Sequence, residues 1–422
     1  MLSIKEPVLA NPEHVAVARR RSYAIARWRE QHWRSRARLD LSGAYLSGAR
    51  LSGVDLSHDD LSGIDLTSSD LHHANLSGTH LPSAYLSRSN LAWANLQFAN
   101  LRGVFLLRAN LKGALLQNAD LQDADLSYAD LSLADLTGAN LSGANLTHAS
   151  LLQADLSRAS LNRATLTGTQ LDLGNLTQAD LRGASLLHVS LDGTLFTSAR
   201  LEMTLLGDCD MSGALDLESV QHNGPSIVGL DTLMRSGGMI PVAFLRQAGV
   251  PKAFIDVQRQ LGRNPLDHCR VLLVGSIEDS AFIKRLQSDL RASGLACWHL
   301  PVDDEEALLK DESFPAAQRL TCYDQIVLVC SHHSLDSPYI WRILEQVLQP
   351  GPFGVNHNRA IVPVSLDKSL LARSDGLGEE LRKRPTVELS HWQEDGSYRR
   401  GLDELVALFR TKSRPRKVEE PP

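Results

Sequence analysis

Ala134-Asp135-Leu136-Thr137-Gly138-Ala139-Asn140-Leu141-Ser142-Gly143 holds two copies of one five-residue phrase, and the phrase continues in phase far to either side. From Leu41 to Met211 a large apolar residue stands at every fifth position, 33 of them Leu and the other two Phe196 and Met211. Two residues before each comes a small one, as at Ala44, Ala74, Ala94, Ala124 and Ala179, with an occasional Val54, Ile64, Thr169 or Gly174. A helix repeats its buried face at about 3.6 residues and a strand at about 2, so a period of five fits neither. It predicts a solenoid, in which each unit forms one side of a coil and stacks on the coil below. No unit buries its Leu alone; stacked coils lay Leu on Leu, and the small residue lets the walls approach. Asn, Asp, Ser, Thr and Gly at the remaining positions suit tight turns at corners.

These blocks resemble the pentapeptide-repeat family, and the resemblance covers residues 39–215. It implies a β solenoid, a right-handed quadrilateral β-helix. With four units to a coil, the rod has about nine coils and is about 40 Å long at the spacing of paired strands. Some rods of this family resemble duplex DNA in size and charge and bind DNA-handling enzymes, which requires a dense array of outward carboxylates. Residues 41–215 contain 17 Asp plus Glu against 9 Lys plus Arg, so acids occur at about one per two repeats. The outward positions hold many Ser, Thr, Gln, His and Arg instead. A spacer or docking rod is therefore expected, with a DNA-mimic rod binding a topoisomerase as the alternative. His58, His72, His73, His80, His148 and His188 read as solvated positions, not metal ligands.

A chain of 422 residues has room for two or more domains. Cys209, Cys269, Cys297, Cys322 and Cys330 lie far apart with no CxxC pair, which predicts reduced thiols, no metal site and no resident cofactor. No apolar run reaches the roughly eighteen residues that span a membrane, and the first residues lack a signal-peptide core. A cytoplasmic protein without membrane or nucleic-acid partners is expected.

Residues 1–38 read as a capping helix. Asn11-Pro12-Glu13 combines a cap, a proline suited to the first helical position and an acid near the positive end of the helix dipole. Val15, Ala18, Ile25, Trp28 and Trp33 are interspersed with Arg19, Arg20, Arg21, Arg27, Arg29, Arg34, Arg36 and Arg38. An open β-helix end exposes Leu and unpaired backbone, and a Trp-bearing helix suits it as a lid. The arginines then face solvent or the acidic rod. After Met211 the phase fails, with Asp216 where an apolar residue is due. Residues 216–268 read as a connector of three short helices that packs on the last coil, broken at Gly237-Gly238-Met239-Ile240-Pro241 and Gly249-Val250-Pro251. Residues 412–422 carry one apolar residue outside the prolines and read as a disordered tail.

From 269 to 411 strand and helix patterns alternate. Val271-Leu272-Leu273-Val274, Leu295-Ala296-Cys297-Trp298, Ile326 to Cys330, Ala360 to Val364 and Thr386 to Leu389 read as strands. Ser276 to Asp279 is expected to cap a helix carrying Phe282, Ile283, Leu286 and Leu290, Ser337-Pro338 to open another, and Tyr398 to Phe409 to close the domain. Alternation of this kind gives an α/β domain with a parallel sheet. The Glu278-Asp279, Phe282, Leu286, Leu290, Gly294-Leu295, Cys297-Trp298, Ser337-Pro338, Ile361-Val362-Pro363-Val364 and His391-Trp392 positions resemble the Toll/interleukin-1 receptor (TIR) domain, bacterial type. The resemblance covers nearly the whole domain and implies a flavodoxin-like fold.

Many TIR domains cleave the nicotinamide glycosidic bond of NAD, and others only self-associate as signalling adaptors. The family's catalytic Glu follows a Trp by four residues in the helix after the third strand. Aligning Ser331 and Ser337 without a gap puts Tyr339 at the Trp position and Ile343 at the Glu position. Trp341 and Glu345 keep the four-residue spacing if that helix carries a two-residue insertion, which makes Glu345 the candidate catalytic carboxylate. On the helix, Ile340, Ile343, Leu344 and Val347 share an apolar face, and Glu345 lies two residues, about 200°, from Ile343 and faces away. Gly275 stands where the family commonly has an aromatic, and Leu300-Pro301-Val302-Asp303-Asp304-Glu305-Glu306 replaces a Gly-Asp turn. The expected function is a signalling or defence protein in which the rod positions a TIR-like domain for protein interaction and self-assembly without catalysis. The rival is an NAD glycohydrolase activated by clustering, with NAD as substrate and Glu345 as its carboxylate.

Overall fold

The computed structural model describes residues 10–20, 22–32, 37–261, 269–300, 323–337, 340, 344, 360–373 and 375–412. The chain forms two compact units, Met1–Gln260 and Leu261–Pro422.

In the first unit parallel bridges run from Asp40↔Asp60 to Leu195↔Leu215, partners standing 20 residues apart. Twenty residues are four repeats, so each repeat is one side of a coil. On nearly every side a turn closes back on the Leu carbonyl, as where Ala139 N donates to Leu136 O at 2.9 Å. The third residue of that turn has positive φ: 67° at Gly138, but also 59° at Trp93, 62° at Leu133 and 58° at Leu173. An L-residue in this region costs roughly 1–2 kcal/mol, a cost offset by backbone bonds to the coils on either side, such as Leu136 N to Asp155 O at 2.7 Å and Asn140 N to Ala119 O at 2.9 Å. The every-fifth residues from Leu41 to Met211 point inward and are buried, as is the small column from Val54 to Ala199, while Ala49 is partly buried. Where a hydroxyl replaces that small residue it finds a carbonyl, either one coil back, as Thr169 Oγ1 donates to Leu146 O at 2.8 Å and Thr194 Oγ1 to Leu171 O at 2.8 Å, or in its own turn, as Thr79 Oγ1 donates to Leu76 O at 2.6 Å and Ser89 Oγ to Leu86 O at 2.7 Å. Asn and Asp at the bridge positions bond outward-facing groups. Asn140 Oδ1 accepts from Ser142 N at 3.2 Å while its Nδ2 donates to Asp120 Oδ1 at 2.8 Å, tying one coil to the previous one.

The start of the rod is closed by α1 (Pro12–Ala18) and α2 (Ser22–His32). Asn11 caps α1, its side chain accepting from Glu13 N at 3.0 Å. The single helix expected here is thus two. One straight helix over that span would run roughly 30 Å, past a coil whose sides are five residues long. The break lets Ala18 and Ile25 both reach the rod core, with Trp28 half-buried beside them. Trp33, Arg34 and Arg36 lie outside the described residues.

Five short strands belong to the far end: β1 (Ser185–Leu187), β2 (Arg200–Leu201), β3 (Leu205–Gly207), β4 (Gln221–His222) and β5 (Ile227–Val228). All pair in parallel, β1 with β3, β3 with β5 and β2 with β4. The coil therefore outlasts its sequence period: β4 and β5 lie on the preceding coil after the five-residue phase has failed at Asp216, and Gly229 N still donates to Leu206 O at 2.8 Å. Three helices follow, α3 (Leu230–Arg235), α4 (Val242–Gln247) and α5 (Lys252–Leu261). Leu233, Ile240, Phe244, Leu245 and Ile255 join the rod core and close its end.

The second unit is a five-stranded parallel sheet. Its strands are β6 (Arg270–Val274), β7 (Ala296–Leu300), β8 (Gln325–Cys330), β9 (Ala360–Ser365) and β10 (Val387–Glu388), in the spatial order β10-β9-β8-β6-β7. Its helices are α6 (Ser280–Ala292), α7 (His332–Asp336), α8 (Ser369–Ala372), α9 (Gly376–Arg382) and α10 (Asp395–Lys412). Alternate strand residues feed two cores. Val271, Leu273, Val327, Val329 and Val362 pack with Phe282, Leu286, Tyr398 and Phe409 on one face. Leu272, Val274, Ile326, Leu328 and Ile361 pack with Leu335, Ile340, Leu344 and Leu381 on the other. Burial on both faces is why these strands read as unbroken apolar runs. On the first face Tyr398 Oη donates to Asp289 at 2.8 Å, and the Arg285 guanidinium lies 4.0 Å over the Tyr398 ring, joining α6 to α10.

One local expectation is extended and one changes. A further helix, α7, precedes Ser337, capped by Ser331, whose hydroxyl accepts from Ser334 N at 3.1 Å, and Ser337 ends it; of the helix that Ser337-Pro338 was expected to open, Ile340 and Leu344 are described and are helical. Ser276 precedes a short 3-10 turn at Ile277–Asp279, and its hydroxyl bonds the Glu278 carboxylate where a helix amide was expected.

Candidate functional site

In an open parallel sheet the default ligand crevice lies beyond the carboxyl ends of the strands, where the strand order reverses. Here that point falls between β6 and β8. The residues leaving β6 are Gly275, Ser276 and Asp279; those leaving β8 are Ser331 and Ser334. Asp279 Oδ2 accepts from Ser331 Oγ at 2.5 Å and from Ser334 Oγ at 2.7 Å. Ser334 Oγ in turn accepts from Ser276 N at 2.8 Å. Both hydroxyl protons are thus committed to one carboxylate, and the network locks the two loops together. Among the described residues no imidazole is bonded to Ser331, so this network as described holds geometry and does not activate a nucleophile.

Beside it, His332 N donates to Asp367 Oδ2 at 3.0 Å, and the His332 and His333 rings lie 3.7 Å apart. Partial burial pushes the Asp367 carboxyl upward, but bonds from Ser369 and His332 outweigh it and hold the group below the usual carboxylate range. A Cβ at Gly275 would lie 2.9 Å from both Ile283 Cδ1 and Val329 Cβ, so the aromatic common in TIR domains has no room there without movement of both. Burial pushes the Cys297 and Cys330 thiols up to about 12, which keeps them protonated and unreactive.

Glu345, the candidate carboxylate, lies outside the described residues, as do Tyr339, Trp341, Ile343 and 301–306 of the acidic loop. Ile340 and Leu344 of that segment are described and buried. Among the described residues there is no cluster of His, Cys, Asp and Glu able to hold a metal ion. Nor is there a helix long and apolar enough to cross a membrane.

The rod's own chemistry sits at its ends and on its outer faces. Asp59 occupies an inward position where a small apolar residue is the rule, and it is 1% exposed. It accepts from Leu39 N at 2.8 Å, an amide with no coil below it, and from Arg29 Nη2 of α2 at 2.7 Å. Arg29 also donates to Asp55 O at 2.7 Å and Ser57 O at 3.1 Å. Burial drives the Asp59 carboxyl up to about 7 against the pull of Arg29. At the other end Asp208, nearly buried, bonds Arg235 of α3 and lies 2.5 Å from His188 Nδ1. The signal for Asp59 was present in the sequence as the one acid in an inward column; nothing local marked Arg29 or Arg235 as its kind of partner. On the outside, His72 Nδ1 sits 2.7 Å from Asp70, and most columns alternate short polar groups.

Residues 37–67, 69–107, 89–115, 106–143, 139–178 and 175–213 match the family model "Pentapeptide repeats (8 copies)". The chain belongs to the pentapeptide-repeat family through these residues. Among solved structures it is similar to HetL of the cyanobacterium Nostoc sp. strain PCC 7120, a pentapeptide-repeat protein involved in heterocyst differentiation regulation, at 30% identity over 47% of this chain and 94% of that one, with a TM-score of 0.28. It is also similar to QnrB1, a plasmid-mediated fluoroquinolone resistance protein, at 20% identity over 42% and 91% of the two chains with a TM-score of 0.32. Rfr23 of the cyanobacterium Cyanothece 51142 is a third, at 29% identity over 30% and 83% with a TM-score of 0.20. No curated protein matches the chain.

Proposed function

We propose that the rod is a docking element for protein partners and that the α/β unit is a TIR-like module that assembles with its own kind, the two together serving intracellular signalling or defence. The carrying observation is the rod surface. Trp93 and Phe98 stand 52% and 67% exposed on a fold that already has a full apolar interior, and exposed aromatic side chains are characteristic of surfaces that bury on binding. The TIR-like reading of the second unit is supported by its sheet order and by helices on both faces, on top of the sequence resemblance. The serine–aspartate network at the switch point favours positioning over bond cleavage.

Sedimentation velocity on the full chain over a wide concentration range tests assembly: concentration-dependent growth is expected, and a monomer throughout would remove the self-association reading. The rival is decided by incubating the same protein with NAD. Release of nicotinamide that disappears in Glu345→Ala would replace assembly without catalysis by an NAD glycohydrolase.

A further inference from the structure

The coils differ in charge along the rod. Residues 71–119 contain neither Asp nor Glu, although residues 41–215 hold 17 of them. The interval is about two and a half coils, roughly 12 Å of rod. Into it fall Arg88, Arg102, Arg108 and Lys112, together with Tyr85, Trp93, Phe98 and Phe105; of the exposed rings on the rod only Tyr45 lies elsewhere. Carboxylates resume at Asp70 on one side and at Asp120, Asp123 and Asp125 on the other.

One side of this band is built in a particular way. Tyr85 and Phe105 are bridge partners on successive coils, and their rings lie parallel within 8° at 5.0 Å. The adjoining corner of the same two coils carries Arg88 and Arg108, both at positive φ. Arg102 pairs with Asp120 at 3.5 Å, but among the described residues Arg88 has no carboxylate within ion-pair distance, and Arg108 lies 5.6 Å over the Tyr128 ring. Like charges on adjacent strands repel, and no acid of this band offsets the pair.

We propose that Tyr85, Arg88, Phe105 and Arg108 form a docking face for an acidic polypeptide segment, with an apolar side chain seated on the ring pair and carboxylates on the two guanidinium groups. This rests on the reading of the rod as a docking element and names its partner class. Tyr, Phe and Arg are enriched, and Asp and Glu depleted, where proteins bind proteins. Rings already stacked on the rod lose little freedom on binding. The height of the band selects a polypeptide over a nucleic acid. A strand lying along the rod would meet Asp65 and Asp125, the bridge partners of Tyr85 and Phe105, one coil beyond the ring pair at either end, about 5 Å away. A loop crossing the rod stays clear of both.

The full chain is titrated with a fluorescent random copolymer of Glu and Tyr, with polylysine and a single-stranded oligonucleotide as comparators. Binding of the copolymer is expected, weakened by salt and reduced at least about tenfold in Arg88→Glu/Arg108→Glu and in Tyr85→Ser/Phe105→Ser. Arg50→Glu/Arg163→Glu, outside the band, should bind as the parent does, and melting curves confirm that each variant folds. The proposal is overturned if the copolymer does not bind, if Arg88→Glu/Arg108→Glu binds like the parent, or if the oligonucleotide binds as tightly. Absent copolymer binding removes this face and its partner class alone; the wider docking reading, carried by Trp93 and Phe98, does not fall with it.

Discussion

The two ends of the rod solve the same problem with different chemistry. Each end leaves backbone groups without a coil to pair with, and each answers with a helix that sends an arginine to a nearly buried aspartate: Arg29 to Asp59 at the start, Arg235 to Asp208 at the finish. At the start the orphan amides go to titratable acceptors, Leu39 N to the Asp59 carboxylate and Asp40 N to His14 Nδ1 at 2.9 Å. At the finish hydroxyls do this: Cys209 N donates to Thr232 Oγ1 at 3.3 Å and Met211 N to Ser236 Oγ at 3.0 Å. The finish also buries Phe244 and Leu245 in full, against Ala18 and Ile25 at the start. The finish thus adds apolar packing and neutral hydroxyls to its ion pair where the start relies on charge, and the lesson is that Asp59, driven up to about 7, makes the start of the rod respond to pH.

The largest expected effect breaks the apolar end. Phe244→Ala should cost about 3–5 kcal/mol, against somewhat less for Ile25→Ala at the other end, both read from denaturant midpoints. Equal losses would mean the two lids carry equal weight.

Arg29→Ala strands a buried carboxylate, and near pH 8.5 a loss of roughly 3–5 kcal/mol is expected. Near pH 6 the loss should shrink, because Asp59 is already largely protonated there and removing Arg29 leaves no buried charge behind. Arg235→Ala should cost less than Arg29→Ala at the higher pH, since Asp208 keeps His188. A reversed order would show that Asp208 carries the greater burden.

The parent chain should show the pH effect directly. Folded Asp59 keeps its proton to about pH 7, whereas the unfolded chain loses it near 3.8. Folding therefore takes up a proton between those values, and the stability contributed by this group falls as pH rises through that window and is flat above it. Melting temperature against pH should lose this slope in Asp59→Asn and keep it in Asp208→Asn.

Smallest is a change between the ends. A Cβ at Gly113 would come within 2.4 Å of the Trp93 ring, whereas one at Gly48 meets nothing within 4 Å, and both glycines have positive φ. Gly48→Ala should cost about 1–2 kcal/mol for backbone strain alone. Gly113→Ala should cost more and shift the tryptophan emission, because the ring must leave its seat.

Much of this architecture was legible in advance. Thirty-five in-phase residues gave the solenoid, since a period of five has one way to bury its Leu. Val271 to Val274 and Ile326 to Cys330 marked buried strands by being apolar without alternation. The second unit's crevice was less legible: Asp279 meets Ser331 and Ser334 across more than fifty residues of chain, which no local pattern encodes. The reach of the coil to Gly229 was hidden too, because there the backbone bonds persist while the side-chain period that advertises them has gone.

By itself the sequence determined the repeating interior, the lids of the rod and the strand-and-helix alternation that follows, because each is a local pattern enforced by burial. Only the tertiary structure decided that Asp59 pairs with Arg29, and that Tyr85 lies on Phe105 with Arg88 beside Arg108. Those are relations between residues a whole coil or more apart, and the free energy that fixes them arises only once the coils are stacked.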